Sequence, residues 1–241
     1  MKIKAILVFL VMSAIGVHAQ QSGSISGQVT FVGDLPPLKP IKVSGNDREH
    51  CGELERPNQR LSLGQNKEIA NVVVWLEDLP AEPPVKNVKA TLDNRKCMFE
   101  PHIQVIQRGT ELAVKNSDDI NHSTQIFWEW DKSEAGPNTV TFTGQQAEFE
   151  ALSGARFKKP VFCRVGCAYH PWMDAGIIVM PHPYYALTGA DGKFTITKLT
   201  PGNHTLKAWH ELLGFAEKTI RIEADKGLQL DLSSADFKRP E

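Results

Sequence analysis

The sequence carries no surplus of positive charge. Its 27 lysines and arginines stand against 28 aspartates and glutamates, so the basic stripe that grips a phosphate backbone is missing and no nucleic-acid partner is expected. After the first twenty residues there is no apolar run of about 18 residues, the length that suggests a membrane-spanning helix. Four cysteines in 241 residues exclude a small disulfide-dense scaffold. The glycine patterns that cradle phosphates or dinucleotides are absent, and so is an internal repeat of roughly 20–50 residues. His210-Glu211-Leu212-Leu213-Gly214 opens like a zinc-protease motif, but Gly214 stands where the second histidine is needed. Sustained helical periodicity is missing; only Glu211 to Leu213 suggests a helical turn.

What is present begins with a targeting pattern. Lys2 and Lys4 precede the apolar run Ala5 to Val17, broken by Ser13 alone, and Val17-His18-Ala19 offers small residues for cleavage. A signal peptide is expected over 1–19, with the mature chain starting near Gln20 or Gln21. The protein is then exported, periplasmic or secreted, without a transmembrane segment, and its cysteines meet an oxidising compartment.

The remainder reads as strand. Ile25, Gly27, Val29 and Phe31 alternate with polar residues. Val72-Val73-Val74-Trp75-Leu76 is a continuous apolar run, suited to a strand buried on both faces. Ile103/Val105 and Leu112/Val114 flank Arg108-Gly109, which predicts a hairpin. Val161, Cys163 and Val165 share one parity of a further strand, and Ile177-Ile178-Val179 follows it. Short strands separated by turn residues predict an all-β chain of sandwiches or barrels.

The chemistry concentrates in Cys163-Arg-Val-Gly-Cys167-Ala-Tyr-His170-Pro-Trp-Met173. A thiolate, an imidazole and a thioether on one short loop are soft ligands, and these select copper over magnesium or calcium. Upstream, Asn116-Ser-Asp-Asp-Ile-Asn-His122 supplies a second histidine just past a strand. Taken singly, each such residue is more often packing or a satisfied polar group; their combined spacing is what points to metal.

These segments, with Phe99 to Lys115 before them, resemble the cupredoxins, the small blue copper proteins, and the short loop with Pro171 after His170 is most similar to the amicyanin/plastocyanin-like members. The resemblance covers about residues 88–182. It implies a Greek-key β-sandwich, one copper held by His122, Cys167, His170 and Met173, one-electron transfer, and a redox partner docking at an exposed edge of His170, with Trp172, Tyr169, Trp128 and Trp130 around that end. The stretch Phe127 to Phe149 is longer, more acidic and more aromatic than the family pattern. Cys163 is an extra thiol. It leaves open a Cys163–Cys167 disulfide, or a dinuclear copper loop with Cys163 as an additional ligand. A strand over 161–165 opposes the dinuclear reading, because residues four apart are then about 13 Å apart. His102, His182 and His210 remain structural or supporting residues.

Ala190-Asp191-Gly192 to Leu206, with Thr200-Pro201-Gly202 inside it, resembles the carboxypeptidase regulatory-like (transthyretin-like, carbohydrate-binding-like) sandwich. Ser24 to Val32 looks like the first strand of that family. Some fifty C-terminal residues cannot bury a sandwich core alone. The expected organisation is therefore residues 20–87 plus 183–235 as one sandwich, with the copper domain 88–182 inserted into it. Cys51 and Cys97 are expected to pair, since export favours oxidation and the other two cysteines have roles; two buried thiols or a second metal site are the alternatives. The leading functional reading is an exported copper electron carrier rather than an enzyme, because four protein ligands leave no open position for substrate. A carbohydrate- or surface-binding module without redox role, and copper storage or delivery, are the other readings.

Overall fold

A computed structural model describes residues 21–43, 47–52, 55–129, 139–143, 146–150 and 159–239; the expected signal segment and the side chain of Trp130 lie outside them. The chain folds as all-β sandwiches. One five-stranded sheet runs in the order Thr139–Thr143, Ser123–Glu129, Val161–Cys167, Asp174–Met180, Ile103–Gln107. A four-stranded sheet faces it, in the order Gln146–Glu150, Glu111–Asn116, Lys89–Arg95, Met98–Glu100. Along Val161–Cys167 every odd residue is buried, as a period of two requires. Leu92, Phe99 and Leu112 from one sheet meet Ile126, Val165 and Ile177 from the other. Each such side chain contributes about 1.5–3 kcal/mol on burial.

The second sandwich joins the two ends of the described chain. Gly23–Thr30 pairs antiparallel with Lys193–Leu199 and parallel with Gly227–Gln229 and Leu232–Ser233. The facing sheet runs Tyr185–Leu187, Val73–Leu76, Gly202–His210, Gly214–Ile222. Ile25, Val29, Val74, Leu76, Phe194 and Leu206 form its core. Val73 and Trp75 point the other way and meet Ile103, Ile178 and Met180 of the first sandwich. Phe162 centres that contact, its ring 6.2 Å from Trp75, 5.1 Å from Trp209 and 5.7 Å from Phe215. The sandwiches therefore stack sheet on sheet, and Val73–Leu76 is buried at every position.

Two local expectations are corrected. Arg108-Gly109 does not close a hairpin. Ile103–Gln107 pairs parallel with Asp174–Met180, while Glu111–Asn116 pairs with Lys89–Arg95 in the opposite sheet, so the turn carries the chain between layers. Arg108 N–H donates to Met180 O and Val85 N–H to Arg108 O. Gly109 sits at φ +92°, and a Cβ there would lie 2.4 Å from Val85 O. Glu211 to Leu213 is not helical either. It is the turn between Gly202–His210 and Gly214–Ile222, closed by Gly214 at φ +87°. Among the described residues the one α-helix is the single turn Arg48–Cys51, which the sequence reading did not anticipate. Cys51 at its end is disulfide-bonded to Cys97.

Candidate metal centre

Three strands bring the donors together. Cys167 ends Val161–Cys167, and Cys167 pairs in register with Thr124 on the neighbouring strand. That register sets His122, just before Ser123, beside the sulfur. The chain then turns through 168–173, where Met173 N–H donates to His170 O at 2.9 Å, and continues into Asp174–Met180. His122, His170 and Met173 are each 1% exposed and Cys167 is 7% exposed.

The distances define a convergent cluster. Cys167 Sγ lies 3.9 Å from His122 Nδ1 and 3.6 Å from His170 Nδ1, and the two Nδ1 atoms are 3.0 Å apart. Each imidazole is held from behind. His122 Nε2 is 2.9 Å from Asp118 Oδ2, and His170 Nε2 is 3.2 Å from Asp47 Oδ2. An ionised carboxylate only accepts, so each Nε2 carries the proton and each Nδ1 presents its lone pair inward. Burial holds the His122 pKa below its ordinary value despite the hydrogen bond to Asp118, in keeping with a neutral ring. Ser123 N–H donates to Cys167 Sγ at 3.4 Å, a contact that stabilises a thiolate.

Two inward lone pairs and a sulfur within 4 Å of one another have at most the thiol proton to share. Uncompensated, such an arrangement is costly when buried. The donor set fits a single soft cation, and thiolate with imidazole selects copper or zinc over hard ions.

Asp118 and Asp47 are the site residues that sequence reasoning missed. Asp118 lies in the quoted segment Asn116 to His122 but carried no distinguishing signal. Its carboxylate also accepts from Lys96 N–H and Cys97 N–H, and Asn116 braces the loop by donating to Ile120 O and accepting from Asp118 N–H.

Other residues go elsewhere. Cys163 lies outside any disulfide, 3% exposed, in the core of the first sandwich, opposite Trp128 and Ile177. It is neither bonded to Cys167 nor part of the donor cluster among the described residues. His102 faces away, with Nε2 at 2.7 Å from Glu211 Oε2 and Nδ1 at 3.2 Å from Asp174 O. His182 Nδ1 accepts from Tyr184 N–H, and His210 Nδ1 from Leu212 N–H. Burial lowers both pKa values, that of His210 to about 4. The expected open edge of His170 is not present. Asp47 occupies its outer nitrogen, and the Trp172 ring lies 5.0 Å away. Tyr169, 57% exposed, is the open aromatic beside the loop. The side chain of Trp128 lies outside the described residues.

No protein-family model and no curated protein matches the chain. Solved structures similar to it include the copper-containing nitrite reductase from Thermus scotoductus SA-01, at 19% identity and TM-score 0.31 over 63% of this chain and 34% of that one. The chain thus spans about a third of that reductase. A Cu(I) amicyanin matches at 16% identity and TM-score 0.30 over 44% of this chain and 98% of its own. The amicyanin of Paracoccus versutus matches at 20% identity and TM-score 0.27, over 43% of this chain and 86% of its own. Among the described residues no helix is long and apolar enough to cross a membrane.

Proposed function

We propose that the chain is an exported protein that binds one copper ion and carries single electrons. His122 Nδ1, His170 Nδ1 and the Cys167 thiolate would hold the ion, with the Met173 thioether as a fourth, weaker ligand. The observation that carries this reading is the meeting of two inward-facing Nδ1 atoms, 3.0 Å apart, with one buried cysteine sulfur. Copper supplies the one-electron couple. The residues supply its frame: Asp118 and Asp47 fix the imidazoles, and Ser123 N–H bonds the sulfur. Pro171 restricts the loop between His170 and Met173. A frame fixed in this way changes little when the charge on the ion changes, which suits a carrier. Four protein ligands leave no position for substrate, so catalysis is not part of this reading. A protein redox partner docks against the loop at Tyr169, near His170, and residues 20–87 plus 183–235 serve as an accessory docking or surface-binding sandwich.

Copper(II) titration of the full chain tests the reading. An intense visible band should grow and saturate at one copper per chain, and Cys167→Ser should lose it. Saturation at two coppers per chain, or binding without colour, would overturn it.

A further inference from the structure

We propose that the segment Asp47–Cys51, which precedes the copper sandwich in sequence, is a built cap of the metal centre, with Asp47 as the positioning residue for His170. The proposal rests on the copper reading for its electronic consequence but not for the cap itself. His170 is 1% exposed, and the group facing its outer nitrogen is the Asp47 carboxylate at 3.2 Å. A surface histidine would have water there.

The cap is fastened in several places. Asp47 O accepts from Cys51 N–H at 2.8 Å and His50 N–H at 3.1 Å, which locks the turn that presents the carboxylate. Cys51 is bonded to Cys97, and both are buried. Cys97 then touches the supports of both histidines. Its N–H donates at 2.8 Å to Asp118 Oδ2, the oxygen that faces His122 Nε2. Its carbonyl accepts from Trp172 Nε1 at 3.3 Å, and the Trp172 ring lies against His170. His50 Nδ1 adds a contact to Asp119 at 3.4 Å. One disulfide therefore ties together the carboxylates behind both imidazoles. An anionic partner fixed behind His170 makes it a stronger donor and favours the more highly charged state of a bound ion.

The test uses the full chain. Without copper, diethyl pyrocarbonate labelling followed by mass mapping compares His170 with exposed His50 and with buried His122 and His210 as internal controls. In the wild type His170 should label as slowly as His122. Asp47→Ala should speed His170 labelling by about tenfold or more, the loss expected when a hydrogen bond to a charged group is removed, with His122 and His210 unchanged. Asp47→Asn keeps an acceptor oxygen and should stay near wild type. With copper bound, Asp47→Asn should keep the colour and raise the reduction potential, because a negative charge is gone. Wild-type His170 labelling as fast as His50, acceleration of all the histidines together in Asp47→Ala, or an unchanged potential in Asp47→Asn would each overturn the proposal. If the chain takes up no copper, the copper reading fails while the labelling still decides whether the cap exists.

Discussion

At the scale of single residues, the two cysteines outside the disulfide separate one copper from two. Cys167 lies beside both Nδ1 atoms, whereas Cys163 points into the sandwich core. Cys163→Ser puts a hydroxyl into an apolar site, so it should lower stability by about 1–3 kcal/mol and leave the visible spectrum and its copper stoichiometry unchanged. Met173→Leu preserves volume and apolarity. On the copper reading it should keep the metal and shift the potential, because a thioether ligand tunes it. Electrochemistry and absorption on both variants check this. Loss of the band in Cys163→Ser would mean that Cys163 is a ligand. The sequence drew attention to this loop because thiol, imidazole and thioether three residues apart are a rare conjunction, and the structure brings Cys167 and His170 of that loop together with His122. It did not show Asp47 and Asp118. Carboxylates in loops are commonplace, and Asp47 is separated from His170 by 123 residues, so nothing local marks it.

At the scale of elements, period-two burial in Val161–Cys167 and the fully apolar Val73–Leu76 could be read directly, since each depends only on which faces are covered. The turn at Arg108-Gly109 could not. Apolar alternation on both sides of a glycine has the same appearance whether the next strand pairs with the last one or crosses to the facing sheet, and here Gly109 fits against Val85. The helical turn Arg48–Cys51 was equally hidden, because one turn has too few residues to show a period. Its tether is the disulfide, with a sequence separation of 46. On the chain-entropy estimate, closing a loop of that size contributes about 4 kcal/mol. The double variant Cys51→Ser, Cys97→Ser should therefore unfold with a lower midpoint in denaturant, by about 2–4 kcal/mol in free energy. A loss under about half a kilocalorie per mole, well below the smallest usual effect, would show that the bond does not constrain the unfolded chain.

At the scale of the whole molecule, the two sandwiches are joined by more than apolar packing, and the second joint is charged. Glu211, in a turn of the second sandwich, accepts from Arg60 Nε at 2.9 Å and faces His102 Nε2 at 2.7 Å, and His102 Nδ1 reaches Asp174 O next to Met173. Burial alone would lower the His102 pKa. The hydrogen bond and charge of Glu211, with Asp174, outweigh burial and raise it. For Glu211 burial works upward, but His102 and Arg60 outweigh it and hold the carboxyl below its ordinary value. The signs then fix a window. The raised His102 contributes stability that is full below its unfolded pKa near 6.5 and is lost as pH rises through its folded value. The lowered Glu211 contributes stability present above its unfolded pKa near 4.5 and lost as pH falls through its folded value. Asp174, raised first by burial and then by the charge of Glu211, loses its contribution as pH rises from its unfolded value near 3.8 through its folded value. Burial lowers the His210 pKa to about 4, so it is neutral over the upper part of the window. Glu211→Gln keeps an acceptor but removes the charge. Its stability deficit should peak between the two unfolded values, at about 1.5–3 kcal/mol, the range for hydrogen bonds to charged groups, and should narrow as pH rises past the folded His102 pKa. Thermal unfolding of both proteins across that range measures the difference. A deficit that is flat with pH, or that widens towards alkaline pH, would show that His102 is not charged in the joint and that the sandwiches are held there by packing alone.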